Sequence, residues 1–357
     1  MKRILALDGG GVRGVFSLEI LLRIEQLLRD HFKKPDLVLA DYFDFFAGTS
    51  TGAIIATCLC WGKSVDEIRE MYDDQSAKMF QPAVWYRRLT TTFYEAKHLS
   101  NYLRNVLFTE DDGKPALLGT SKLKKLLLVG LRNHSTGSAW PLTNNPKAKY
   151  NDRKLPDCNL NIPLWQVVRA STAAPSYFEP EVITLGETTF VFVDGGLTPF
   201  NNPSVIAVLT AILPPYNLNW EPGPDNIRLI SIGTLRFLMP LPKKTWQMWH
   251  GYNVTKTAAA LIETIAWEQD FLSRTMGECT YGEPLDGEVG DLIGAGLPRH
   301  SWTSYVRYNK TFKGKELQSL LLENPHLPEL DSVASMGKLK EIGQKYAAEN
   351  VKIAHLI

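Results

Sequence analysis

Hydrophobic positions along the chain fall into short continuous runs separated by stretches of helical spacing. Residues 3–8 (RILALD) make an apolar run of strand length that ends at Asp8 and three glycines. From 15 to 31, Phe16, Ile20, Ile24, Leu27 and Leu28 recur at helical spacing. The same order of strand, glycine turn and helix returns at 42–61, where an apolar run at 42–47 leads through GTSTG into an alanine- and isoleucine-rich segment. Further apolar runs predict strands at 124–132, 188–194 and 227–233, and periodicity predicts helices at 64–79, 99–107, 203–213, 254–275 and 334–349. Strands alternating with helices predict an α/β class with a mostly parallel central sheet covered on both faces. Beyond about residue 240 the strands give way to helices and tryptophans. The expected organisation is therefore a core at 1–240 and a helical C-terminal extension at 241–357 packed on the same domain. Proline and asparagine cluster at 141–163 and 214–226, as in long surface loops.

The 357 residues, 44% of them hydrophobic, can bury a large core. With Lys+Arg 39 against Asp+Glu 38, the net charge of +1 does not point to a nucleic-acid polymer as partner. The apolar run that opens the chain stops at Asp8, too soon for a secretory signal, and the richest run, 53–61, is about half a bilayer span. A cytoplasmic protein whose membrane contact is peripheral is expected. Cys58, Cys60, Cys158 and Cys279 are too scattered for a disulfide framework and lack the pairing of a zinc site, and TEDDG at 109–113 lacks the alternating carboxylates of a calcium loop. No metal is expected.

The chemistry is carried by the turns. Bare glycine backbone between a strand and a helix leaves amide N–H groups unpaired at the positive end of the helix dipole, a place for negative charge. That charge is either a cofactor phosphate or an oxyanion formed during reaction. Gly9, Gly11 and Gly14 fit G-x-G-x-x-G, so a nucleotide-binding protein or dehydrogenase is a rival reading, although Asp8 would crowd a phosphate there. The second turn, Gly48-Thr49-Ser50-Thr51-Gly52, fits G-x-S-x-G with a strand before it and a helix after, which makes Ser50 a candidate nucleophile. A serine hydroxyl needs a base. Asp194 closes an apolar strand before Gly195 and Gly196, where a carboxylate could reach the sheet's carboxyl edge; a plain Asp-Gly turn is the competing reading. Ser50, Asp194 and then His250 or His300 would also follow the chain order of a hydrolase triad, but neither histidine has a fitting local context.

Together, DGGGVRG (8–14), GTSTG (48–52), DGG (194–196) and RASTAAPSYFEP (169–180) resemble the patatin-like phospholipases over residues 3–205. The resemblance implies an α/β/α sandwich and hydrolysis of lipid acyl esters by a Ser-Asp dyad without histidine. Carried onto this chain, it makes Ser50 the nucleophile and Asp194 the base. Gly10, Gly11 and the Thr51 amide become oxyanion donors, and Arg13 orients the loop or meets lipid phosphate. LTPFNNP departs from the family's Ala-Asn-Asn-Pro by placing Phe200 before Asn201, which bears on the acyl pocket rather than the dyad.

Two further stretches bear on partners. Phe80, Trp85, Tyr86, Phe93 and Tyr94 with Arg87 and Arg88 suit a phospholipid membrane surface, and equally an aromatic core with surface arginines. WEQDFLSRTMG, DGEVGDL and YVRYN look similar to bacterial patatin-like effectors of antiviral defence, which implies a cyclic dinucleotide activator; a purely structural helical cover is the alternative. Arg236, Lys243, Lys244, Arg299 and Arg307 are the available cations for such a ligand.

Overall fold

The computed structural model describes residues 1–79, 94, 96–239, 250–295 and 301–357. Helices α1 (Gly14–Phe32), α2 (Leu39–Tyr42), α3 (Thr51–Trp61), α4 (Val65–Met79) and α5 (Ala96–Tyr102) belong to the first part of the chain. Helices α6 (Leu164–Ser171), α7 (Ser204–Ile212), α8 (His250–Met276), α9 (Gly314–Glu323) and α10 (Met336–Asn350) follow. The strands are β1 (Lys2–Leu7), β2 (Phe45–Thr49), β3 (Leu126–Asn133), β4 (Ser138–Thr143), β5 (Glu181–Leu185) and β6 (Thr188–Asp194). To these the chain adds β7 (Ile227–Ile232), β8 (Arg236–Phe237), β9 (Glu278–Tyr281), β10 (Ser304–Tyr308) and β11 (Thr311–Phe312).

Among the described residues, nine strands form one sheet in the order β5-β6-β3-β2-β1-β7-β10-β9, with β4 on β3. Strands β3, β2, β1, β7, β10 and β9 run parallel, while β4, β5 and β6 pair antiparallel. Alternation along the strands splits the core between the two faces. Leu5, Leu7 and Phe46 join the helices α1, α3, α4, α6 and α10 in one cluster, and Ile4, Ala6, Phe45 and Ala47 pack with α7 in the other. Continuous apolar strands result, because each face is covered.

The predicted strands at 3–8, 124–132, 188–194 and 227–233 match β1, β3, β6 and β7, and the run at 42–47 is split between α2 and β2. The C-terminal part differs from its helical expectation, since β9 and β10 extend the parallel sheet. Strand β10 was hidden because its polar residues Ser304 and Arg307 are buried among partners rather than solvated. Strand β4 overlaps the loop expected at 141–163; among the described residues it pairs only with β3, and an edge strand tolerates Pro141. Among the described residues, no helix is long and apolar enough to cross a membrane.

Candidate active site

Strand β2 ends at Thr49 and α3 begins at Thr51, so Ser50 takes the whole change of direction, at φ 54° and ψ −124°. Such a conformation costs an L-residue on the order of 1–3 kcal/mol and survives only where the surroundings hold it. Here Ser171, at the end of α6, accepts the Ser50 N–H at 2.9 Å and donates to the Gly130 carbonyl at 2.7 Å, tying the bend to β3. A side chain on Gly48 would run into the Gly52 carbonyl and one on Gly52 into the Leu7 and Asp8 carbonyls, which is why the motif needs small residues there.

The sheet's pairing brings the acid to the serine. Along β3, β2 pairs with 126–130 and β6 takes over at 131–133, so Thr49 lies opposite Gly130 while Asp194 lies opposite Leu131. Ser50 Oγ donates to Asp194 Oδ2 at 2.7 Å, and the Gly196 N–H donates to Asp194 Oδ1 at 2.6 Å. Asp194 is 5% exposed. Burial lifts its carboxyl to about 6, against the Gly196 N–H, the Ser50 hydroxyl and the Arg169 charge, which all pull it down. Among the described residues, no histidine is hydrogen-bonded to either member of the pair. His300 and the His250 side chain lie outside the described residues.

The first turn packs on the second. Gly9 lies against Ser50 and Asn201, Gly14 against Thr51, and Gly195 against Gly130. The Gly9 N–H donates to the Asn201 carbonyl at 2.9 Å, and Thr234 Oγ1 donates to the Gly9 carbonyl at 2.9 Å. Gly11 takes φ +58°, with its Cα against the Leu330 carbonyl, which accepts the Val12 N–H at 2.8 Å. Among the described residues, the N–H groups of Gly10, Gly11 and Thr51 have no acceptor. They are what an oxyanion site requires. The Leu330 carbonyl, by contrast, stands over the loop where a dinucleotide reading of Gly9, Gly11 and Gly14 would bring a pyrophosphate. Arg13 is 4% exposed, reaches Glu263 on α8 at 3.6 Å and lies over the Phe237 ring.

The predicted site residues thus converge on one edge of the sheet. The aromatic and basic residues Phe80, Trp85, Tyr86, Arg87, Arg88 and Phe93, and the cations Lys243, Lys244 and Arg299, lie outside the described residues. Tyr94 donates to Asp331 at 2.6 Å and stacks on Tyr177. Sequence reasoning assigned no role to Ser171, Arg169 or Asn201. The first two stand in the RASTAAP stretch and the third in FNNP, and their motifs were the only signal. Arg307, read only as a free cation, is instead bound to Asp8.

A strained serine elbow bonded to a buried carboxylate beside unpaired amides is the geometry of a serine hydrolase on an α/β sheet. A family model described as patatin-like phospholipase matches residues 5–208, and this chain belongs to that family. It is 30% identical over 68% of its length to a cGAMP-activated phospholipase of Escherichia coli (strain TW11681), covering 66% of that protein. It is 28% identical over 65% of its length to a cGAMP-activated phospholipase of Vibrio cholerae serotype O1, covering 64% of it. The chain therefore spans slightly less than two thirds of the length of these curated relatives. It is also 30% identical over 57% of its length to the 85/88 kDa calcium-independent phospholipase A2 of Rattus norvegicus, covering 23% of that protein.

Proposed function

We propose that this chain is a lipid acyl hydrolase that cleaves carboxylic ester bonds of membrane phospholipids through Ser50 and Asp194. The observation that carries the reading is the 2.7 Å bond from Ser50 Oγ to Asp194 Oδ2 at a strained elbow. Asp194 takes the hydroxyl proton as Oγ attacks the ester carbonyl, and the amides of Gly10, Gly11 and Thr51 receive the oxyanion. Collapse of the tetrahedral species breaks the ester bond, and Asp194 returns its proton to the departing alcohol, a lysophospholipid. Water then gives a proton to Asp194 and attacks the acyl-Ser50 carbonyl; fatty acid leaves and Ser50 regains its hydrogen. A free aspartate, with a pKa of about 3.9, is a poor match for this work, and the raised value supports the assignment.

In this reading residues 1–240 form the catalytic core, 241–357 pack on the same domain, and the protein works in the cytoplasm, meeting the inner membrane face peripherally. Activation by a cyclic dinucleotide in antiviral defence is part of the proposal; the printed names of the bacterial relatives support it. The test is release of fatty acid from phospholipid vesicles, with and without cGAMP. Activity in the parent chain and none in Ser50→Ala or Asp194→Ala is expected. Full activity in Asp194→Ala would discard the dyad, and no response to cGAMP would discard the activation.

A further inference from the structure

Between the glycine-rich loop and α8 lies a cleft that opens to solvent. It shares Gly9, Arg13 and Asn201 with the catalytic edge, and Arg13, Arg236, Arg274 and Arg307 face into it. Their commitments differ. Arg274 holds Asp270 through Nε and one terminal nitrogen at 2.8 and 2.9 Å, and Arg307 holds Asp8 through both terminal nitrogens at 2.9 and 2.5 Å. Arg13 reaches Glu263 only at 3.6 Å, and Arg236 makes no ion pair among the described residues.

Three guanidinium nitrogens in this cleft are unspent. Among the described residues, the Nε atoms of Arg13, Arg236 and Arg307 are buried without a hydrogen-bond partner; Arg307 Nε is 3.8 Å from Asp270, too far for one. Arg13 and Arg307 are 4% and 2% exposed. Leaving charged donors desolvated and unpaired is costly unless something else satisfies them. An anion with several acceptor oxygens would serve more than one of them at once. The opposing carboxylates yield readily: burial lifts Glu263 above its ordinary value, only partly offset by Arg13 and Arg236, and burial lifts Glu283 likewise.

We infer that this cleft binds a phosphodiester, with Arg236 as its principal partner, and that the bound anion competes with Glu263 for Arg13. Arg13 follows directly on Gly10, Gly11 and Val12, so the exchange would loosen α8 from the glycine-rich loop and reset the amides beside Ser50. A cyclic dinucleotide and a phospholipid head group present the same diester, and the inference rests on the hydrolase reading above only for what the anion regulates.

Calorimetry on the Ser50→Ala chain separates the sources, using cGAMP in one arm and monomeric dihexanoylphosphatidylcholine in the other. Arg236→Gln is expected to weaken at least one of them tenfold or more, and Arg236→Lys, which keeps the charge, to weaken it less. A loss confined to cGAMP makes the cleft an activator site; a loss confined to the lipid makes it a head-group site. Unchanged affinity in Arg236→Gln, or no binding of either probe by the parent, overturns the inference. Equal losses in the Gln and Lys variants would also overturn it, because the charge would then be irrelevant. Fatty-acid release by the chain with Ser50 intact is read separately. Hydrolysis with no Arg236-dependent binding sinks only the cleft, and Arg236-dependent binding with no hydrolysis sinks only the hydrolase.

Discussion

Replacing Asp194 by asparagine should abolish turnover and, at neutral pH, make the protein more stable. The carboxyl's ordinary value is 3.8 and burial lifts it to about 6 in the folded chain. The shift is roughly two pKa units at about 1.4 kcal/mol each, so the folded state pays about 3 kcal/mol to hold Asp194 ionised at pH 7. Below about pH 4 the carboxyl is protonated in both states and the penalty is absent. A raised acid thus favours folding in acid, and that advantage is lost as pH rises through about 6. Asparagine has no proton to lose. It can still accept the Gly196 N–H, so the rest of the difference between the two proteins stays nearly constant with pH. Urea unfolding followed by tryptophan fluorescence from pH 4 to pH 7 should show the asparagine variant gaining about 2 kcal/mol on the parent over that range. In a chain of this length that corresponds to roughly 3 °C in Tm. A difference that stays flat, or one that grows toward acid, would refute the claim that Asp194 is held as a destabilised base.

The same carboxyl sets the acid limb of the rate profile: kcat/KM on a neutral ester should rise through about pH 6, and a limb near pH 4 would mean that Asp194 is solvated or not the base. Gly11→Ala places a methyl against the Leu330 carbonyl at φ +58°; it should lower turnover by about 10²- to 10³-fold, and near-normal turnover would remove Gly11 from the oxyanion site. Ser171→Ala releases both the Ser50 amide and the Gly130 carbonyl, and kcat should fall on the order of tenfold or more with KM little changed; a pure KM effect would assign Ser171 to substrate binding.

The local elements of the site were legible because each is written in a contiguous stretch. Residues 4–7 declare a buried strand by being apolar throughout, and GTSTG declares a tight bend by size alone. What joins them was not legible. Asp194 meets Ser50 because β6 replaces β2 along the edge of β3 between Gly130 and Leu131, a hand-over between segments far apart in the chain. Ser171 serves the site through two hydrogen bonds and Asn201 through its carbonyl, and such contacts leave no periodicity. The C-terminal strands were missed for an electrostatic reason. Arg307 interrupts an apolar strand and looks solvated, yet it is buried because Asp8 sits two strands away in the same sheet and accepts both of its terminal nitrogens. That pairing also explains why an acid can stand at the head of a loop proposed to receive an oxyanion. Asp8 is occupied by Arg307, and among the described residues the amides of Gly10 and Gly11 have no acceptor, as the proposed oxyanion role requires.

Covalent labelling with a fluorophosphonate, mapped by peptide mass spectrometry, asks whether a directly bonded aspartate makes Ser50 nucleophilic. A single modified site at Ser50 is expected in the parent chain, with labelling slowed by orders of magnitude in Asp194→Asn. Label on another residue, or the parent's labelling rate in Asp194→Asn, would contradict it.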